Sequence, residues 1–132
     1  MNKFVLLSVL LLLSFLMPAQ ELPPINTYIA KDYKAENQNW SISQSENKFI
    51  YIANNKGLLE FNGASWQLYP TPNETIMRSV KVLDDKIFTG FYMDFGYWKK
   101  NNFGELEFSS IAKKLNIQML EDEQIWNILE ID

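Results

Sequence analysis

The chain has 132 residues, a formal net charge of −4 at pH 7, and 47% hydrophobic residues. These values exclude a low-complexity tail and a strongly basic nucleic-acid-binding domain. The sequence contains no histidine and no cysteine, which excludes Ser-His-Asp and Cys-His catalytic sets, thiolate metal sites and disulfides. We predict a protein that is not an enzyme, with no catalytic residue, metal site or cofactor, and no nucleic-acid partner through this segment.

An apolar run from Phe4 to Met17 follows Lys3 and ends shortly before the small residue Ala19. A positive charge, an apolar stretch and a small residue at the cleavage point are the three parts of a signal peptide. We predict that residues 1–19 are a signal peptide and that the rest of the chain is exported. An uncleaved membrane anchor is the alternative, which we favour less because a spanning helix needs about 20 apolar residues.

Residues 20–38 are predicted to form an extended lead-in, because Pro23 and Pro24 oppose a helix. Residues 39–69 then divide into four short apolar runs separated by turn residues such as Gly57. Aromatic and β-branched residues in partial alternation predict strands, and the turn residues predict hairpins between them. This first unit is therefore predicted to be a four-stranded meander.

Residues 77–108 repeat the layout of the first unit, and residues 124–132 begin a third. Aligning the units places Trp40, Arg78 and Trp126 at one repeat position. Periods of roughly 40 to 50 residues with four strands each are typical of β-propeller blades. A β-sandwich or a barrel is the alternative, but neither explains a motif that returns at such intervals.

Residues 109–120 are predicted to form a short helical insertion, because Ile111, Leu115 and Met119 recur every four residues. The predicted fold is all-β. It is an incomplete β-propeller over residues 39–132, with about two four-stranded blades and the start of a third. The signal peptide and the lead-in precede it.

The segment NWSISQSENKFIYIANNKGLLEFNGASW, residues 39–66, resembles the two-component-regulator propeller repeats of exported sensor regions in Bacteroidetes-type bacteria. The lead-in at residues 31–40 is similar to the start of family members that continue into a three-tyrosine domain, a membrane helix and a kinase or DNA-binding output module. Because propellers close with about 4 to 8 blades, the resemblance implies that this chain is a fragment. It also implies a location at the periplasmic face of the inner membrane.

From this resemblance we expect a sensory, ligand-binding propeller that feeds a transmembrane signalling or transcription-regulating protein. The expected partners are an extracellular glycan or another small ligand, the rest of the propeller, and the downstream signalling domains. Membrane contact is expected only through the signal peptide or a downstream helix. An exported propeller enzyme acting on polysaccharide, and a secreted adhesion propeller, are the alternatives.

An aromatic stretch in the longer part of the second unit supplies the candidate ligand-binding residues, because irregular loops there can reach the mouth of a propeller. They are Phe91, Tyr92, Tyr97 and Trp98, although a place in the core is favoured for most of this aromatic stretch. Packing between blades is favoured over ligand stacking for Trp40, Trp66 and Trp126. Asp94-Phe95-Gly96 matches the magnesium motif of kinases, but the partner loop of that motif needs a histidine. We therefore predict a turn there.

Overall fold

The structure is a computed structural model, and it describes residues 2–14 and 22–131. Within these ranges the chain forms three short helices and eight strands. In chain order they are α1 (Lys3–Ser14), α2 (Ala30–Tyr33), β1 (Asn39–Gln44), β2 (Ile50–Asn54), β3 (Gly57–Phe61), β4 (Trp66–Pro70), β5 (Met77–Leu83), β6 (Lys86–Phe91), β7 (Asp94–Lys100), β8 (Leu106–Ser110) and α3 (Ile111–Lys114).

The strands form two antiparallel sheets, each a meander in which every strand pairs with the next one in sequence. Sheet 1 contains β1 to β4, and sheet 2 contains β5 to β8. The turn residues explain this order: Gly57 opens β3 with φ +136°, a backbone conformation that side chains disfavour, and Asp84 turns β5 into β6 with φ +53°. The predicted all-β class is confirmed, and both predicted meander units are present.

Both sheets carry the same irregularity in their first strand. The pairing of β1 with β2 shifts between Asn39 and Ser41, and the pairing of β5 with β6 shifts between Met77 and Ser79. The bulged residues are therefore Trp40 and Arg78. A bulge adds one residue to a strand and redirects its side chains, so the two sheets repeat in local geometry as well as in strand order.

The core lies between the two sheets, and it is built from the inward side chains of both. Its fully buried members include Leu58 of sheet 1 and Met77 and Phe91 of sheet 2. At the first strands the sheets also share hydrogen bonds: the Ser41 hydroxyl donates to the Val80 carbonyl at 3.3 Å. Polar serines thus allow β1 to lie directly beside β5.

The segment after residue 123 lies on the other side of sheet 2. The Ser79 hydroxyl donates to the carbonyl oxygen of Ile125 at 2.9 Å, and a side chain at Gly90 would collide with that of Ile125. Within residues 124–131 the structure assigns one isolated bridge, from Gln124 to Tyr92, and no strand. Sheet 2 therefore has neighbours on both faces.

The lead-in covers part of the outer face of sheet 1. Tyr28 packs against Phe61 and Trp66, with ring centroids 5.2 and 5.4 Å apart. The prediction of a wholly extended lead-in was wrong at α2, where the Asp32 carboxylate accepts the Ile29 N–H at 2.8 Å and starts one helical turn. Such a cap stabilises the start of a helix. Pro23 and Pro24 do not prevent this helix, because they lie several residues before it.

Asn54 fixes the end of the lead-in to sheet 1. Its buried side-chain amide donates to the carbonyls of Glu36 and Gln38 at 2.6 and 3.0 Å, and to the side chain of Asn39 at 2.7 Å. Its oxygen accepts from the Lys56 N–H at 2.9 Å. One side chain thus closes the β2–β3 turn and holds the chain that enters β1.

Two further predictions differ from the structure. The helix predicted over 109–120 is limited to α3, because Asn116 adopts φ +52° and the N–H groups of residues 116 and 117 bond back to the helix carbonyls, a closing motif that ends a helix. The turn predicted at residues 94–96 is part of β7, and the chain turns at Tyr92 and Met93 instead.

The predicted signal peptide is only partly covered. Residues 3–14 form α1, and the predicted cleavage point after Ala19 lies outside the described residues. In the described ranges we find no helix whose length and hydropathy would suffice to cross a membrane.

Candidate functional site

Three residues from three successive segments meet at the repeat position that the sequence alignment identified. The Arg78 guanidinium carbon lies 4.0 Å from the ring centroid of Trp40 and 4.5 Å from that of Trp126. The two indole rings are edge to face, with centroids 5.7 Å apart. We call these three residues the tryptophan–arginine cluster. Each contact is a cation–π interaction of about 0.5–2 kcal/mol, depending on how dry it is.

The bulges in β1 and β5 explain why the cluster forms. They turn Trp40 and Arg78 out of the regular alternation at the edge where the first strands lie side by side. The rings stay partly accessible, with 40% of Trp40 and 57% of Trp126 exposed. Exposure of this extent leaves aromatic surface for contact with a further molecule.

The Arg78 guanidinium has few polar partners. Its Nε–H donates to the Gln124 side-chain oxygen at 2.6 Å, while its buried Nη1 has no hydrogen-bond acceptor within residues 2–14 and 22–131. Among the residues that the structure describes, Arg78 forms no ion pair with a carboxylate. The partly buried guanidinium therefore has two indole rings and one amide as its neighbours, and no counter-charge among the described residues.

A cavity of about 330 Å³ borders the guanidinium. We call it the Arg78 cavity, and its lining consists of Glu74, Thr75, Ile76, Arg78, Tyr92 and Gln124. The wall is held in place by hydrogen bonds: the Asn73 amide donates to the Tyr92 carbonyl at 2.9 Å, and the Tyr92 hydroxyl donates to Asp122 at 2.7 Å. This hydrogen bond to a carboxylate raises the pKa of Tyr92.

The four residues predicted as a ligand site do not lie at one surface. Phe91 is fully buried and Trp98 is 4% exposed, both in the core between the sheets. The Trp98 indole donates to the Thr89 hydroxyl at 2.8 Å, which satisfies its one polar atom. Tyr97 points to the opposite face of β7, where Lys86 lies over its ring. Of the four, Tyr92 alone lines the Arg78 cavity.

Arg78 is the residue that the sequence-based site prediction missed. The signal was present, because Arg78 interrupts a repeat position at which the first and third units carry tryptophan. From sequence alone, such a departure indicates only an irregular repeat. The contact of residues 40, 78 and 126 depends on how three segments pack, and the sequence does not reveal that packing.

A second polar cluster joins the two sheets and borders a cavity of about 360 Å³. The buried Glu60 carboxylate of β3 accepts the Tyr51 hydroxyl at 2.9 Å and pairs with the Lys100 ammonium of β7 at 3.2 Å. Burial, followed by the hydrogen bond to Glu60, raises the pKa of Tyr51. Because its members satisfy one another across the interface, this cluster acts in packing rather than in binding.

The acidic run at residues 121–123 is used in local structure. Asp122 holds the Tyr92 hydroxyl, and the Glu123 carboxylate accepts the Leu120 N–H at 3.0 Å. In the part of the chain that the structure describes, no group of three or more acidic side chains is arranged to hold a metal ion.

Comparisons with protein-family models, with curated proteins and with solved structures give no match for this chain. The resemblance to two-component-regulator propeller repeats therefore rests on the sequence pattern alone. What the chain does must be argued from its repeated geometry and from the tryptophan–arginine cluster.

Proposed function

We propose that this chain is the opening part of an exported β-propeller that serves as a sensory, ligand-binding module and not as an enzyme. Residues 39–70 and 77–110 would be its first two blades, and the segment from residue 124 would begin the third. The observation that carries the proposal is the contact of Trp40 in β1, Arg78 in β5 and Trp126 in the segment after residue 123, which occupy the same repeat position.

Repeated contacts between neighbouring units support the propeller part of the proposal. A serine of β1 bonds to the backbone of β5, and the serine at the equivalent place in β5 bonds to the backbone at Ile125. In both cases the serine that follows the bulged residue joins one unit to the segment after it. Units that pack on one another in succession are what build a ring of sheets around an axis.

The chemistry of the tryptophan–arginine cluster supports binding. Indole rings stack on ligands, and an arginine keeps its proton throughout the accessible pH range, so it anchors and orients rather than transferring protons. The expected ligand is an extracellular glycan or another small molecule. Signalling would follow if the ligand binds one arrangement of the propeller and its downstream domains more tightly than another.

The proposal is tested on the complete product of the reading frame that contains this chain. Its output, kinase autophosphorylation or transcription from a reporter, is measured while extracellular polysaccharides are added one at a time. We expect at least one to change the output, and the Trp40→Ala variant to respond less. Phe103→Ala is the matched control, because Phe103 is an aromatic residue that is 90% exposed in the β7–β8 turn and is not part of the tryptophan–arginine cluster.

Two results would contradict the proposal. Turnover of a polysaccharide by the purified protein, abolished by replacing one acidic residue, would show an enzyme. A complete product with neither a membrane helix nor an output domain would favour a secreted adhesion propeller.

A further inference from the structure

We infer that Asn62 is a site of spontaneous deamidation, with water as the co-reactant, and that the β3–β4 turn promotes the reaction. This inference goes beyond the proposed binding function and does not depend on it. It starts from Asn62-Gly63, two exposed residues of that turn. Glycine has no side chain to hinder its own backbone nitrogen, and the space around Gly63 is free of protein atoms to 4 Å from the position of a side chain.

The reaction is a ring closure followed by hydrolysis. The Gly63 nitrogen attacks the side-chain carbonyl carbon of Asn62 and loses its proton, and the bond from that carbon to the side-chain nitrogen breaks to release ammonia. Water then opens the five-membered succinimide at either of its carbonyl groups, which gives aspartate or isoaspartate. Nothing is oxidised or reduced, and the chain gains one negative charge.

The turn surrounds the carbonyl group under attack with hydrogen-bond donors. The Asn62 side-chain oxygen accepts the N–H groups of Ala64 at 2.9 Å and of Ser65 at 2.8 Å. These two bonds fold the side chain back along the turn, over the Gly63 peptide that lies between. During ring closure the carbonyl oxygen takes up negative charge, and N–H donors that are already in place stabilise such a charge.

The Ser65 hydroxyl lies beside the nitrogen that leaves. It donates to the Asn62 side-chain oxygen at 3.3 Å and accepts from the side-chain nitrogen at 3.1 Å. A hydroxyl both donates and accepts, so it can pass a proton to the departing nitrogen. The Gly63 N–H makes no hydrogen bond within the described residues, so its proton is free to leave to solvent.

The corresponding turn of sheet 2 contains a natural control. Asn101, in the β7–β8 turn, also accepts two backbone N–H groups, from Phe103 at 2.9 Å and from Glu105 at 3.0 Å. Its carbonyl is therefore polarised in a similar way, but the next residue is Asn102, whose side chain hinders ring closure. The two asparagines share a polarised carbonyl and differ at the attacking nitrogen.

The experiment is prolonged incubation of the full folded chain at pH 8, followed by digestion in acid and mass spectrometry that locates aspartate and isoaspartate. We expect these products to form at Asn62 at least about tenfold faster than at Asn101, which corresponds to about 1.4 kcal/mol in activation free energy. Gly63→Ala should slow the reaction at Asn62 to about the rate at Asn101. Ser65→Ala should slow it roughly two- to fivefold, because one hydrogen bond to the carbonyl oxygen is lost.

No conversion of Asn62, equal rates at Asn62 and Asn101, or an unchanged rate in Gly63→Ala would overturn the inference. A rate in Ser65→Ala that equals or exceeds that of the unsubstituted chain would overturn the promoting role of the turn. The comparison of the two asparagines needs no variant, so it decides the inference even if a variant does not fold. The proposed sensory function is tested separately, by the output of the complete protein.

Discussion

The ion pair between Glu60 and Lys100 should contribute to stability mainly by protecting a buried carboxylate. The Glu60 side chain is 10% exposed, whereas that of Lys100 is 40% exposed. Lys100→Met removes the only ammonium within ion-pair distance of Glu60 in the described residues and leaves the carboxylate with the Tyr51 hydroxyl. Glu60→Gln instead removes the partner of Lys100, whose exposed ammonium can then be hydrated by solvent. The two variants therefore break the same pair with unequal consequences.

The expected magnitudes follow from these exposures. Removing one partner from a fully buried pair costs about 3–5 kcal/mol. Because solvent already reaches Lys100 and Tyr51 keeps one hydrogen bond to Glu60, we expect about 1–2 kcal/mol for Lys100→Met. Glu60→Gln should cost about 0.5–1 kcal/mol, since the amide oxygen still accepts from Tyr51.

The assay is urea unfolding of the full chain at pH 7, followed by circular dichroism and by tryptophan fluorescence. Both variants should lower the midpoint without changing the dependence on urea, and Lys100→Met should lower it more. Lys99→Met is the matched control, because Lys99 is paired with the exposed Asp85 and not with a buried acid. The reasoning is refuted if Glu60→Gln destabilises the chain as much as Lys100→Met, or if Lys99→Met equals them.

Three further predictions concern the fold. Gly57→Ala should lower the free energy of unfolding by more than about 2 kcal/mol, because the new side chain would collide with the Tyr69 carbonyl and φ is +136°. Gly63→Ala should lower it by about 1 kcal/mol, because φ is +94° but the space around the residue is open. Equal urea midpoints for the two variants would contradict this prediction. Asn54→Ala should cost about 2–3 kcal/mol and speed proteolysis of the lead-in; unchanged cleavage would count against its clamping role. Because the pKa of Tyr51 is raised in the folded state, the stability that its proton supplies is present below pH 10 and falls as the pH rises further; Tyr51→Phe should flatten this fall in melting experiments between pH 9 and 11.

Much of the fold was predictable because local signals agreed with the tertiary structure. The first unit combines alternating apolar residues with turn residues that tolerate positive φ, and the predicted unit, residues 39–69, matches the span of β1 to β4 to within one residue. The second unit was predicted less well. Met93 turns the chain with φ +58° although methionine is not a turn residue. Its N–H bonds to the Glu123 carbonyl at 2.9 Å, a tertiary contact that sequence does not reveal.

The candidate site was less predictable than the fold, for a physical reason. Aromatic side chains serve both cores and binding sites, and only burial separates the two uses. Phe91 and Trp98 are neighbours of Tyr92 and Tyr97 in sequence, yet strand alternation and the packing of sheet 1 bury the first pair. Binding residues contributed by separate segments could not be grouped before the segments were placed.

Arg78 is the one residue at the shared repeat position that is not a tryptophan. If the shared position only joined neighbouring units, a third tryptophan would pack there without the cost of desolvating a charge. The second unit instead carries a guanidinium, holds it between the tryptophans of the units on either side, and leaves one of its nitrogens without an acceptor. Packing between units therefore explains the two tryptophans but does not explain why a positive charge lies between them.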